Sequence, residues 1–366
     1  MAIPTPDPRL QIVVETGPAR LADVAALSDA VIGPHEDMSR TEYYAWLYGG
    51  SPAGPAVQAS ALLDGTMVAH YAVVPVTWQT TDGEWVAGLG VNGLTRRDAQ
   101  GRGLFVRLVS AADRAAAERG ISFTFVMPGP ESEPWYRTVL RYAPCGDLGL
   151  FVRPARLSRL AACAPGKLRF ARPLAPVADL VLRPVASLWR ARAGRSGADL
   201  REVTGFGPEF DDLWQRARVG WQLGAARDTT FLNWRFHVPT RTYRVMGAWL
   251  NGRLAASVVF RAKRTHHMPD LALASIVDLV AELTPDGDRM AALLVAEAVS
   301  ALAKEGADAS ICQMQPGSRL VAALTRNGFV RIPGRHAGFR PVVARGLEAA
   351  PTGTGVHFTG ADYDMG

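Results

Sequence analysis

Apolar and polar positions along the chain form two runs of elements that repeat in the same order. In the first run the aromatic segment Tyr43-Tyr44-Ala45-Trp46-Leu47-Tyr48 precedes Pro52, and alternating apolar stretches then flank Asp64-Gly65. In the second, Phe231-Leu232-Asn233-Trp234-Arg235-Phe236 precedes Pro239, and the flanked pair is Asn251-Gly252. Asp-Gly and Asn-Gly suit the two left-handed positions of a two-residue hairpin turn, so each run predicts a β-hairpin. Nineteen residues separate Trp46 from Gly65 and eighteen separate Trp234 from Gly252. That agreement predicts two copies of one fold in tandem, at a period too long for a solenoid.

Each copy continues alike. The first predicts a strand over 86–95, a helix over 104–119, a strand over 121–127, a short helix over 131–141 and a strand over 148–152. The second predicts a strand over 274–283, a helix over 288–305, a strand over 307–314, a helix over 319–326 and a strand over 338–343. Apolar residues in the long helices recur about every 3.6 positions, and Gly120 and Gly306 stop them. The copies differ at the strand-to-helix turn. The first reads Gln100-Gly101-Arg102-Gly103-Leu104-Phe105, with Arg96 and Arg97 just before it. Glycines let backbone approach a ligand closely, and the first amides of a helix lack internal partners, so this turn suits an anion. The second reads Leu283-Thr284-Pro285-Asp286-Gly287-Asp288-Arg289, with acids and no paired glycines. The anion site is expected in the first copy only.

Composition narrows the class. A hydrophobic fraction of 48% and a charged fraction of 20% are those of a globular protein. No run reaches the roughly 18 apolar residues of a membrane span. Met1 to Asp7 shows no basic segment followed by an apolar one, and Cys145, Cys163 and Cys312 form neither a disulfide set nor a metal-ligand spacing. These features predict a cytoplasmic protein without a metal site. Much of the net charge of +6 is local: eleven Lys and Arg between Arg153 and Arg201 face only Asp179 and Asp199. With few aromatics and several prolines, that stretch reads as a solvated connector rather than a nucleic-acid or membrane surface. The expected organisation is a first domain over 1–154, a basic connector over 155–200, a second domain over 201–348 and a flexible tail over 349–366.

No acidic residue completes a dinucleotide fingerprint at the glycine turn, and no Gly-Lys-Ser/Thr completes a P-loop. Hairpin, strand, Gln-x-x-Gly-x, helix, strand and short helix in this order resemble the GCN5-related N-acetyltransferase (GNAT) superfamily. Its pyrophosphate motif, Gln/Arg-x-x-Gly-x-Gly/Ala, matches Gln100 and Gly103, whereas Phe105 stands at the final small position. As a whole the chain resembles the tandem-GNAT acyltransferases. The resemblance implies an α/β (α+β) fold of two tandem GNAT-like domains, each a mixed, mostly antiparallel sheet flanked by helices. It implies acetyl-CoA or another acyl-CoA as cosubstrate, lying across the opening between two splayed strands. The amides of Gly101, Arg102, Gly103, Leu104 and Phe105 would bind its pyrophosphate, and Leu94 and Thr95 its pantetheine arm. The Phe105 side chain must then point away from the cosubstrate.

An acceptor amine would attack the thioester directly, so no enzyme nucleophile is required. Family position makes Tyr136 the candidate acid, with Tyr142 its alternate. Candidate bases are Glu84 and His70, then His35, Glu36 or a water chain. His70, among apolar residues in Val68-Ala69-His70-Tyr71-Ala72, also suits a structural histidine. Asn92 is polar inside an apolar strand, which points to a substrate contact or a bulge. The aromatics around Trp46 and Trp234 suit either an acceptor pocket or helix-to-strand packing. The implied partner is a small-molecule amine, with a nucleotide-linked amino sugar as the first guess, and no nucleic acid. Two alternatives stay open: aminoacyl transfer from charged tRNA, and a non-catalytic acyl-CoA-binding protein. Oligomeric state is not legible.

Overall fold

In the computed structural model, residues 7–159, 197–264, 271–332, 340–345 and 355–363 are described. Most of the expected connector, Cys163 and the outer parts of the expected tail lie outside them. The first half of the chain forms β1 (Leu10–Thr16), α1 (Leu21–Val31), α2 (Thr41–Gly49), β2 (Val57–Leu63), β3 (Thr66–Thr80) and β4 (Gly83–Thr95). It continues with α3 (Leu104–Glu118), β5 (Phe123–Val126), a π-helical turn (Trp135–Val139) and β6 (Ala143–Pro154). The second half forms β7 (Ala198–Val203), α4 (Pro208–Ala217), β8 (Leu223–Ala225), α5 (Thr229–Phe236), β9 (Arg244–Leu250) and β10 (Arg253–Arg264). Then come β11 (Ala272–Ala281), α6 (Pro285–Lys304), β12 (Ala309–Met314), α7 (Val321–Arg326), β13 (Val330–Arg331) and β14 (Arg340–Arg345).

Both hairpins form as the dipeptides predict. Asp64 and Gly65 have φ of 49° and 79°, and Asn251 and Gly252 have 53° and 76°, the paired positive values that match the twist of the flanking strands. The helix expected over 131–141 shrinks to the five-residue π-helical turn. Arg141, at a left-handed φ of 63°, ends the helical path just past Leu140.

The described residues fall into two compact units. The first takes the chain up to Cys145 together with 234–242 and 341–350. Its strands run β1-β2-β3-β4-β5-β14, antiparallel except for the β4–β5 pair. The second takes 146–233, 243–340 and 351–366. Its strands run β6-β12-β11-β10-β9-β7, with β13 also on β6, and only β11–β12 is parallel. The class is the expected one, mixed and mostly antiparallel sheets flanked by helices. Most of β6, from the first half of the sequence, lies in the second unit, and β14, from the end of the chain, pairs in the first.

In the first unit Leu104, Leu108, Val109, Ala112 and Ala116 give α3 one apolar stripe, which packs on Val57, Ala59, Ala61, Ala69, Tyr71 and Val73. Each fully buried large side chain there contributes about 1.5–3 kcal/mol. Alternation along β3 turns His70 to the other face, where it meets Tyr48 of α2. In the second unit α6 covers Ala256, Val258 and Phe260 of β10 and Ala274 and Ile276 of β11.

Candidate active site

Strands β4 and β5 pair in parallel only from Ala87–Phe123 to Leu89–Phe125. Past that point β4 runs on to Thr95 with no β5 partner among the described residues, which leaves an opening bordered by Val91 to Thr95. A β-bulge sits at its mouth. Ala72 faces Val91 and His70 faces Leu94, so Asn92 and Gly93 crowd into one place. Asn92 has φ of 54°, a left-handed conformation that asparagine tolerates better than most residues. A Cβ on Gly90 would overlap the Tyr71 hydroxyl, so the missing side chain there lets β3 fold Tyr71 over β4.

The glycine turn follows directly. Gly101 and Gly103 have φ of 77° and 68°, and no atom lies within 4 Å of where a Cβ on either would stand. Gly103 caps α3 without any side-chain bond to the first amides, and the first helical turn carries no acid. Those amides are thus left for an outside anion. Gln100 ties the turn to the strand by donating from Nε2 to the Thr95 carbonyl at 3.3 Å. Arg96 is held by Asp98 at 2.6 Å, and Arg102 lies 3.9 Å from Asp7. The second unit keeps a bulge on its corresponding strand, at Val277. Its helix start, however, serves itself: Thr284 Oγ1 accepts the Gly287 amide at 3.0 Å, with Asp286 and Asp288 alongside. That end of α6 is capped from within, its two acids paired with Arg289 and Arg319, and offers no such opening.

Tyr136 lies in the π-helical turn, buried, with its ring edge-on to Phe105 at 5.3 Å and to Tyr142 at 5.0 Å. Burial pushes its hydroxyl above the usual tyrosine range, so it carries its proton at neutral pH. The Phe105 ring turns toward Tyr136 and Gly93, where a Cβ would come within 3.1 Å of it. Tyr142 is committed elsewhere, donating to Asp113 and meeting Thr124, each at 2.9 Å. That removes it as the alternate acid.

His70 belongs to a buried chain of polar groups. Ser60 Oγ lies 2.9 Å from Nδ1, Tyr48 Oη lies 3.0 Å from Nε2, and Asn92 Nδ2 donates to Tyr48 Oη at 2.7 Å. One imidazole nitrogen donates and the other accepts, so Ser60 and Tyr48 engage both of them in either tautomer. Burial pushes the imidazole down to about 3, so it stays neutral. With both nitrogens engaged it is a link that aims Asn92, not a base. Glu84 is corrected more simply. It is exposed, faces Gln79 at the opposite end of β4, and stands ten residues from Leu94, roughly 30 Å along a strand. Leu94 is buried and Thr95 half-buried at the opening. Glu36 is exposed, and His35 Nδ1 accepts the Asp37 amide within its own loop.

Sequence reasoning missed what 234–242 contributes to the first unit. Trp46 and Trp234 stack at 5.4 Å, and each indole N–H donates to the other's carbonyl, at 2.9 and 3.3 Å. Arg241 meets Asp37 at 2.7 Å, with both side chains buried. The repeated Trp was the one local signal, and its place in both copies fits packing rather than a pocket. Among the described residues no three His, Cys, Asp or Glu side chains are placed to hold a metal ion, and no helix is long and apolar enough to cross a membrane.

No family model and no curated protein sequence matches the chain. Solved structures match nearly all of it. The N-myristoyltransferase of Saccharomyces cerevisiae with bound myristoyl-CoA covers 95% of this chain and 85% of its own, at a TM-score of 0.63 and 12% identity. A GCN5-related N-acetyltransferase from Anabaena variabilis covers 92% and 72%, at 0.59 and 11%. The GCN5-related glucosamine N-acetyltransferase region of a fungal multi-domain β-N-acetylglucosaminidase covers 92% and 38%, at 0.57 and 14%. The chain has the fold these proteins share, the GNAT fold.

Proposed function

We propose that the chain is an acyl-CoA-dependent N-acyltransferase that works from its first unit. The observation that carries this is one conjunction: the splayed β4 and β5, the left-handed bulge at Asn92 and the uncapped glycine turn follow one another within fifteen residues. The second unit keeps the splay and the bulge but caps its own helix. Phosphate chemistry therefore belongs to the first, and neither aminoacyl-tRNA transfer nor a bare packing role explains an open anion cradle.

In this reading the amides of Gly101 to Phe105 hold the cosubstrate's pyrophosphate, and Leu94 and Thr95 guide its pantetheine arm toward the bulge. The acceptor nitrogen attacks the thioester carbonyl. The ammonium first loses one proton to water; as the C–N bond forms and the C–S bond breaks, Tyr136 protonates the departing thiolate and the second N–H proton, shed by the new amide nitrogen, restores Tyr136. The Asn92 carboxamide is fixed by Tyr48, and its oxygen has no protein partner among the described residues, so it is available to an N–H of the attacking amine. The acceptor is a small primary amine. An amino sugar is the first choice, supported by the glucosamine-acetylating region that shares this fold, and a nucleotide-linked one is the form to try beside it.

The test is thiol release from acetyl-CoA across a panel of amines that includes free and nucleotide-linked amino sugars. Turnover with at least one amine, lost in Tyr136→Phe, is the expected result. If acetyl-CoA neither raises the melting temperature nor releases thiol with any amine, the reading fails.

A further inference from the structure

The second unit also has an opening between splayed strands. Strands β11 and β12 pair only from Leu273–Ala309 to Ile276–Cys312, which leaves Val277 to Ala281 without a β12 partner among the described residues. We infer that this opening is a peptide-binding site, filled in cis by residues 355–362 of the chain's own C-terminal segment.

Backbone bonds hold the segment along its length. Gln222 N–H donates to Gly355 O at 2.6 Å, His357 N–H to Leu223 O at 2.9 Å, and Gln315 N–H to Phe358 O at 2.8 Å. Thr359 then bridges Met314 just past the end of the β12 pairing. The chain turns at Gly360, where a Cβ would stand 3.1 Å from the carbonyl of the bulged Val277. Only glycine gives so close an approach without displacing that carbonyl.

Side chains make the site selective. Arg227, fully buried, uses all five of its N–H groups. Nε donates to Asp278 at 2.9 Å, Nη1 to Ala225 O and Asp362, and Nη2 to Thr359 Oγ1 and Asp362. The Thr359 hydroxyl donates to Asp278 at 2.7 Å, and the Thr359 amide donates to Asp362 at 2.8 Å. Phe358 lies against bare Gly146, and the His357 ring stacks 3.8 Å from Trp221. The ligand this site reads is an extended peptide with two rings followed by Thr-Gly-x-Asp. Its hydroxyl and carboxylate complete the shell of a cation that would otherwise be buried with one counter-charge. A stretch expected as a flexible tail is therefore core over 356–362, because Arg227 and Asp278 were built to receive it.

The test is a chain ending at Thr354 and a synthetic peptide of residues 355–363. The shortened chain is expected to melt below the full chain, and the peptide to restore its melting point saturably. An Asp362→Ala peptide should bind at least about a hundredfold more weakly. A shortened chain that melts with the full one, or that folds and ignores the peptide, overturns the inference. If the shortened chain does not fold, a protease site replacing 351–354 allows the cut after folding. Retention of the cut segment through gel filtration, lost in Arg227→Met, then supports the inference. Release of the segment without a change in melting overturns it.

Discussion

The chain of polar groups behind the bulge makes Tyr48→Phe the most demanding test. The substitution keeps the ring, and with it the contacts to Tyr44 at 5.6 Å and His70 at 5.8 Å, and removes one oxygen. That oxygen accepts from Asn92 Nδ2 at 2.7 Å and lies 3.0 Å from His70 Nε2, all within residues that are at most 9% exposed. Two buried polar groups then lose their partner, at about 1–3 kcal/mol each, so a stability loss of about 2–6 kcal/mol is expected. Urea unfolding followed by tryptophan fluorescence reads it. Combining the change with His70→Leu should cost less than the two single changes together, by about 0.5–3 kcal/mol, because the second deletion finds its partner already gone. Asn92 loses its aim as well. Acceptor turnover should fall about tenfold or more, the equivalent of about 1.4 kcal/mol, while KM for acyl-CoA stays put because the glycine turn is untouched. A Tyr48→Phe protein with kcat intact and stability within about 0.5 kcal/mol of the parent would refute the reasoning.

Three further outcomes follow from the same geometry. His70 is held neutral down to about 3 against 6.5 when unfolded, so between those values the unfolded chain binds a proton that the native chain does not. Stability should fall as pH drops through this window, by about 1.4 kcal/mol per unit from His70, with buried His357 adding in the same direction, and should be flat above it; a urea midpoint unchanged from pH 7 to pH 5 would contradict this. Gly103→Val puts a β-branched residue at φ of 68°, a strain of about 1–2 kcal/mol, and a side chain in the anion cradle. It should raise KM for acyl-CoA about tenfold with little change in kcat, and steady-state kinetics at saturating acceptor measures both. Glu84→Gln should leave kcat and its pH profile unchanged, since the carboxylate is exposed at the far end of β4.

What the sequence disclosed was local. Asp64-Gly65 and Asn251-Gly252 carry their turn geometry in two residues, and Gly101 and Gly103 announce a helix start that no side chain caps. Asn92 stood out because an amide inside an apolar strand needs partners, and it has one in Tyr48. Glu84 misled because position on a strand says nothing about which end meets the chemistry. His70 misled because its two partners, Ser60 and Tyr48, come from other elements. Arg227 gave no signal, since Asp278 and Asp362 lie 51 and 135 residues away in sequence. The strand expected over 338–343 is there as β14, but nothing in the sequence told that its antiparallel partner would be β5 of the first unit.

That last pairing bears on how the protein is made. The first unit's sheet includes β14, so it cannot be completed until the ribosome has passed residue 345. During most of synthesis β5 waits with an open edge, and the β6 residues from Gly149 to Pro154 wait for β12 and β13. Such late, long-range closure slows folding and leaves sticky intermediates within reach of chaperones. It also means that no single cut in the sequence yields two self-sufficient halves, since each unit takes strands from both sides of any such cut.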